Sequence, residues 1–258
     1  RGPRRDADGE TYNCRLVPFA RFYAPAASGT GDRILLPVDE AEHLTRVLRL
    51  SIGDRVRVFD GRGAEYEAVV DTQDREGVRL IVGAPCSPAP EPRVVITLAQ
   101  AVLKGDKMDA VVRDAVMIGV AAIQPLVTPR TEISLAALAR GRRRERWERI
   151  AVSSAKQCGR AVVPRILDPQ PFAGISVPRP VFALAEPGVG SGVPLRDLDS
   201  DIPHQATLLV GREGGWTADE VRVAAALGTL VTLGGRTLRA DSMALVALAA
   251  VFARWGEF

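Results

Sequence analysis

Four prolines within nine residues, in the segment APCSPAPEP at 84–92, constrain this chain more than any other feature. Proline fixes φ and lacks an amide donor, so such a run enters neither a helix interior nor a central strand. The segment reads as a linker that divides the 258 residues into a smaller and a larger piece. Either piece is long enough to bury its own core. With 47% hydrophobic and 25% charged residues, the composition is that of an ordinary globular protein and excludes collagen-like, disordered and disulfide-scaffold chains.

Residues 1–15 carry charges of both signs and no apolar core, so 1–19 reads as a disordered extension and not as a secretory signal. The longest uncharged apolar stretch, 242–253, falls short of the roughly 18 residues a spanning helix needs, and no membrane association is expected. Cys14, Cys86 and Cys158 lie far apart in neither a zinc spacing nor a disulfide set. Free thiols point to the cytoplasm, and no metal is expected.

In the smaller piece, 20–83, Asp39 is expected to cap a short helix through Arg49, followed by strands at 55–59, 66–70 and 78–82 with an Asp60-Gly61 turn. Beyond the linker, 93–258 changes to a rhythm of apolar strand, loop and helix. Strands at 94–99, 122–127, 181–185, 207–210 and 230–233 alternate with helices at 106–118 and 140–158, from Thr217, and from Asp241 or Ser242 to Trp255. Met108, Val111, Val112, Ala115 and Val116 share one face of the 106–118 helix, and Gly119 stops it. Strands alternating with helices, without hairpin signals, imply an α/β fold with a parallel sheet covered on both faces.

The net charge is only +3, yet 31 of the 34 basic residues are arginine. Arginine suits bidentate phosphate contacts and stacking on bases, so its local clusters matter more than the sum. The densest, RGRRRERWER at 140–149, has Trp147, Ile150, Ala151, Ser154 and Cys158 at helical spacing behind it. It is either a solvated face laced with i,i+4 pairs or, continued by Lys156 and Arg160, a nucleic-acid surface led by Arg142 and Arg143.

Three glycine segments follow apolar strands. Glu186-Pro-Gly188-Val-Gly190-Ser-Gly192 matches an acidic-x-G-x-G-x-G dinucleotide pattern, but Pro194, Asp197, Asp199 and Asp201 interrupt the helix that should follow, so a flexible loop is the default. Gly211-Arg-Glu-Gly-Gly-Trp216 precedes Thr217-Ala-Asp-Glu220, a capping box. Gly234-Gly-Arg-Thr-Leu-Arg239 precedes the last helix. Glycine loops at two consecutive strand ends let backbone approach a bound group, and the arginines of the second suit an anionic ligand.

These loops, together with Arg46-Val-Leu-Arg49, Lys104-Gly-Asp-Lys-Met108, and Gln157-Cys-Gly-Arg160 with Pro164, resemble the SPOUT-superfamily methyltransferases, and among them the 16S ribosomal RNA uridine N3-methyltransferases. The resemblance runs from about Phe22 to the end of the chain. It implies a PUA-like, RNA-binding β-barrel followed by an α/β domain with a deep trefoil knot, a fold feature rare enough that no periodicity could reveal it. It implies S-adenosylmethionine as cofactor, held by Leu184, Ala185 and Glu186, by Gly211, Glu213, Gly214 and Gly215, and by Leu233, Gly234, Arg236 and Leu238. Arg239, with Gln157 and Arg160, would act on the base, while Arg46, Arg49, Lys104 and Lys107 would contact ribosomal RNA. A homodimer is implied, with 243–252 serving either as a dimer element or as ordinary core.

The chain departs from the family pattern at three places. Arg212 stands where proline is usual, Ala240-Asp-Ser-Met243 replaces Thr-Glu-Thr-Ala, and Met117-Ile118 replaces Glu-Leu. A divergent paralogue acting on another RNA position, a non-catalytic RNA-binding protein and a dinucleotide-type methyltransferase using 186–192 are the alternatives.

Overall fold

The computed structural model describes residues 19–190, 192–198 and 201–257. The extension expected over 1–19 lies, Phe19 apart, outside the described residues, as do Ser191 and Asp199. Two compact units are present: the first runs to Asp60 and resumes over Ala64–Ser87, and the second comprises Gly61–Gly63 and the chain from Pro88 onward.

The first unit is a five-stranded sheet built from Arg21–Tyr23 (β1), Arg33–Leu35 (β2), Arg55–Phe59 (β3), Glu65–Asp74 (β4) and Gly77–Cys86 (β5), in the order β1-β3-β4-β5-β2. Val56, Val58, Ala68, Val70, Leu80 and Val82 alternate inward along their strands and pack with Phe22 and Leu44 into one core. Val38–Glu42 (α1) continues directly into a π-helical turn at His43–Val47. Pro37 precedes the helix and Asp39 sits inside its first turn, so Asp39 complements the helix dipole instead of capping it. β5 runs past 82 to Cys86, into the proline-rich segment. Pro85 lies opposite Tyr66 of β4 and beyond the stretch of β5 that pairs with β2, where β5 has a strand on one side only.

The second unit holds a parallel sheet of Val95–Ala101 (β6), Ala122–Val127 (β7), Arg165–Ile166 (β8), Gln170–Pro171 (β9), Val181–Leu184 (β10), Val193–Pro194 (β11), Gln205–Val210 (β12) and Thr229–Thr232 (β13). The order is β11-β13-β10-β12-β6-β7-β8, with β9 also on β7, and every pairing is parallel. Helices Lys107–Ile118 (α2), Leu135–Arg140 (α3), Arg143–Cys158 (α4), Ala218–Leu227 (α5) and Ala240–Arg254 (α6) complete it. The five residues expected on the inner face of α2 are its buried ones. No described helix is long and apolar enough to cross a membrane.

Three local expectations change. The basic helix over 140–158 is two helices, because Gly141 takes extended backbone after its N–H closes α3 on the Ala137 carbonyl at 3.0 Å. The last helix starts at Ala240 with Arg239 as its cap residue, which puts Asp241 in the first turn. The glycine segment 186–192 leads into β11 and a short 3-10 turn at Leu195–Asp197, so no helix follows to hold a pyrophosphate in the dinucleotide manner. The apolar side of α6 is core of this unit: Met243, Ala244, Ala247, Leu248, Val251 and Phe252 are all buried.

Gly119 ends α2 at φ 121°, and a Cβ there would stand 2.6 Å from Pro92 Cγ. Gly119→Ala is expected to lower stability by about 1–3 kcal/mol, read as a shift of the urea midpoint at unchanged slope.

Candidate active site

Parallel pairing sets Ala183 of β10 opposite both Leu209 of β12 and Leu230 of β13, so the carboxyl ends of these strands lie side by side. A cleft of about 360 Å³ opens there. Its wall is formed by Leu184 and Glu186 after β10, by the loop from Gly211 to Trp216 after β12, and by Thr237, Leu238 and Arg239 leading into α6. Residues distant in sequence meet because the ladder aligns their strands, in the place where open parallel sheets bind ligands.

The loop after β12 is fixed from below and from the side. Gln100, buried at the end of β6, donates its Nε2 hydrogens to the carbonyls of Ala101 (2.9 Å) and Gly211 (3.0 Å). Trp216 donates Nε1–H to the Leu184 carbonyl at 2.8 Å and stacks on Phe172 with ring centroids 4.9 Å apart. The capping box is formed, with Thr217 Oγ1 accepting from Glu220 N–H and Glu220 Oε2 accepting from Thr217 N–H. Gly215 stands at φ 67°, and a Cβ on it would meet Glu186 Oε1 at 2.6 Å. A glycine is therefore required both by its backbone and by the carboxylate beside it.

Of the residues expected at a cofactor, Leu184, Glu186, Gly211, Glu213, Gly214, Gly215 and Leu238 line the cleft. Ala185 is buried one step behind the wall, its N–H on the Val231 carbonyl at 2.9 Å. Leu233, Gly234 and exposed Arg236 belong to the same loop but not to the wall. Arg239 lines the cleft with its side chain 71% exposed, and Asp241 holds its Nε at 3.3 Å. Trp216, Thr237, Asp241 and Met243, which belong to segments singled out in the sequence but were not themselves expected at the site, also line it.

Gln157 and Arg160 are not in this wall. Gln157 is exposed near the end of α4. Arg160 is 4% exposed: its Nε reaches Glu91 at 3.0 Å, and its Nη1 donates to the Val116 and Val120 carbonyls at 2.7 and 3.0 Å. That geometry makes it a clamp on the end of α2. Arg160→Ala, which strips a mostly buried pair of one partner, is expected to cost about 3 kcal/mol in chemical unfolding.

The expected RNA contacts fall into two groups. Lys104 Nζ pairs with Glu132 at 2.5 Å and Lys107 Nζ with Glu213 at 2.9 Å, so both lysines order loops at the sheet edge. Arg144 pairs with Glu148 and Asp168, and Arg146 with Asp106 and Asp109. By contrast Arg140, Arg142 and Arg143, at the α3–α4 junction, are exposed and form no ion pair with a described residue. Arg143 and Lys104 also line a second cavity, of about 440 Å³, with Thr131, Glu132 and Ser134. In the first unit Arg46 pairs with Glu42 at 3.5 Å, and exposed Arg49 is the one non-glycine residue at positive φ (55°) among those described.

Burial raises the pKa of Glu213, but the Lys107 ammonium and the N–H of Lys104 more than offset it, and the carboxyl is held below its ordinary value. A lowered folded-state pKa contributes stability above the unfolded value and loses it as pH falls through the folded one. Glu213→Gln is thus expected to be less stable than the parent near neutral pH and to converge with it in acid, as unfolding at stepped pH would show.

An RNA methyltransferase domain matches residues 90–252, and an RNA methyltransferase PUA domain matches residues 36–82. The ribosomal RNA small subunit methyltransferase E of Synechocystis is 32% identical over 84% of this chain and 72% of its own length, and that of Bacillus subtilis is 28% identical over 88% and 90%. Among solved structures, the ribosomal RNA small subunit methyltransferase E of Neisseria gonorrhoeae bound to S-adenosyl methionine superposes with a TM-score of 0.81 at 29% identity, covering 92% of this chain and 98% of its own. A Legionella pneumophila protein in complex with the same cofactor gives 0.82 at 27%, again over 92% and 98%. With its larger domain matched over more than half its length, the chain belongs to the family of SPOUT-type RNA methyltransferases that carry a PUA domain.

Proposed function

We propose that this protein methylates N3 of a uridine in the 16S ribosomal RNA of the small subunit, using S-adenosylmethionine. The observation that carries the reading is the convergence of three strand-end loops on one cleft with Arg239 at its exposed edge. The cleft fits the cofactor: its volume suits a small ligand, Gly215 leaves the Glu186 carboxylate in place, and both signs of charge line the wall. The relatives named for small-subunit ribosomal RNA and the neighbours solved with this cofactor support the same assignment.

When bound, S-adenosylmethionine supplies a methyl group on a sulfonium, an electrophile. The chain's task is to bring the base to it. Uracil N3 lies on the pairing edge and carries a weakly acidic proton, so the base must be exposed and its anion favoured. Arg239, oriented by Asp241, is placed to stabilise negative charge developing on the uracil oxygens. Glu213 and Lys107 fix the loop that faces it.

RNA is held outside the cleft by Arg140, Arg142 and Arg143, which have no ion-pair partner among the described residues, and, in the PUA domain, by Arg46 and Arg49. Cations at the N-terminus of α4 oppose its dipole, and an approaching phosphate relieves that opposition. A homodimer, a trefoil knot around the cleft and action in the cytoplasm belong to the same proposal.

The test supplies purified protein and S-adenosylmethionine to small subunits from cells lacking the protein and maps 3-methyluridine by mass spectrometry. Restoration of one missing mark is expected. Arg239→Ala should lower the transfer rate about 100-fold or more while the cofactor still binds. No missing mark in the deficient cells would overturn the N3 assignment.

A further inference from the structure

Arg212 and Glu186 line the cleft without a side-chain partner among the described residues. Arg212, two residues past β12, makes no side-chain hydrogen bond or ion pair with a described residue, and its Nε is buried with nothing to donate to. Glu186, past β10, likewise has no side-chain partner among the described residues, and no ion pair joins the two. The other charges of the wall are matched within the chain: Glu213 by Lys107, and Asp241 by Arg239. An unpaired buried donor is costly, and in a cleft wall a bound group is one way to complete its bonding.

We propose that Arg212 and Glu186 clamp the amino-acid end of S-adenosylmethionine, Arg212 taking the carboxylate and Glu186 the ammonium. The inference rests on the cofactor reading above and extends it to residues that set affinity. The carboxylate is the cofactor's one anionic group, so a guanidinium binds it more strongly than the neutral adenine and ribose and is repelled by the sulfonium and the ammonium. An RNA phosphate stays solvated and would be met by an exposed side chain such as Arg239, whereas Arg212 is half-buried in the cleft wall.

Calorimetric titration tests the clamp with two ligands: S-adenosylhomocysteine, which has the amino-acid end and an uncharged sulfur, and 5′-methylthioadenosine, which lacks that end. Arg212→Gln is expected to weaken S-adenosylhomocysteine about tenfold, the loss of one charge-assisted contact, while methylthioadenosine changes less than about twofold. Arg212→Lys should retain part of the preference. Equal weakening of both ligands in both variants would mean that Arg212 only shapes the loop, and would overturn the clamp. So would unchanged S-adenosylhomocysteine binding with a raised KM for RNA, which would assign Arg212 to the substrate. Failure of the unsubstituted protein to bind either nucleoside would instead refute the cofactor reading itself.

Discussion

The parallel ladder of β13, β10, β12 and β6 is the constraint from which the site follows. Each strand is held in register by main-chain bonds on both sides, so the three loops leaving β10, β12 and β13 must emerge at one edge. The side chains beneath that edge are polar where they support a loop and apolar elsewhere. Gln100 carries the glycine loop by donating to the Gly211 carbonyl, while at the amino ends of the strands Thr207 Oγ1 donates to the Pro178 carbonyl at 2.7 Å. A rigid floor of this kind lets glycine-rich backbone keep a defined shape without side chains of its own.

Electrostatically the second unit sorts its cations. Those close to an acid are absorbed into pairs that brace helices and loops, as Arg146 braces α4 against Asp106 and Asp109 of α2 and its cap. Arg140, Arg142 and Arg143, which form no ion pair with a described residue, stand together at the α3–α4 junction. Near-neutral net charge therefore conceals a division of labour that no sum over residues reports.

Features governed by neighbours in sequence were legible from the residues alone. The buried face of α2, the capping box of α5 and the limits of β7 all follow from periodicity or from a single side-chain bond. What depended on distant partners was not. Nothing near Arg160 announces Glu91 and the end of α2, and nothing near Lys107 announces Glu213, so the partners that hold these side chains in the fold are invisible in the local sequence. Gly141 shows a third case: a glycine flanked by arginines is tolerated in a helical pattern, and only the actual backbone reveals that it breaks there.

Trp216 adds a practical property. The chain has three tryptophans. Trp147 is buried with its indole N–H on Asp109, and Trp255 is buried at the end of α6, neither of them in the cleft wall. Trp216 alone of the three stands in that wall, its ring stacked on Phe172 and its N–H on the carbonyl of Leu184. The cleft thus contains its own fluorophore, and the emission of that indole reports filling of the cleft without any attached label.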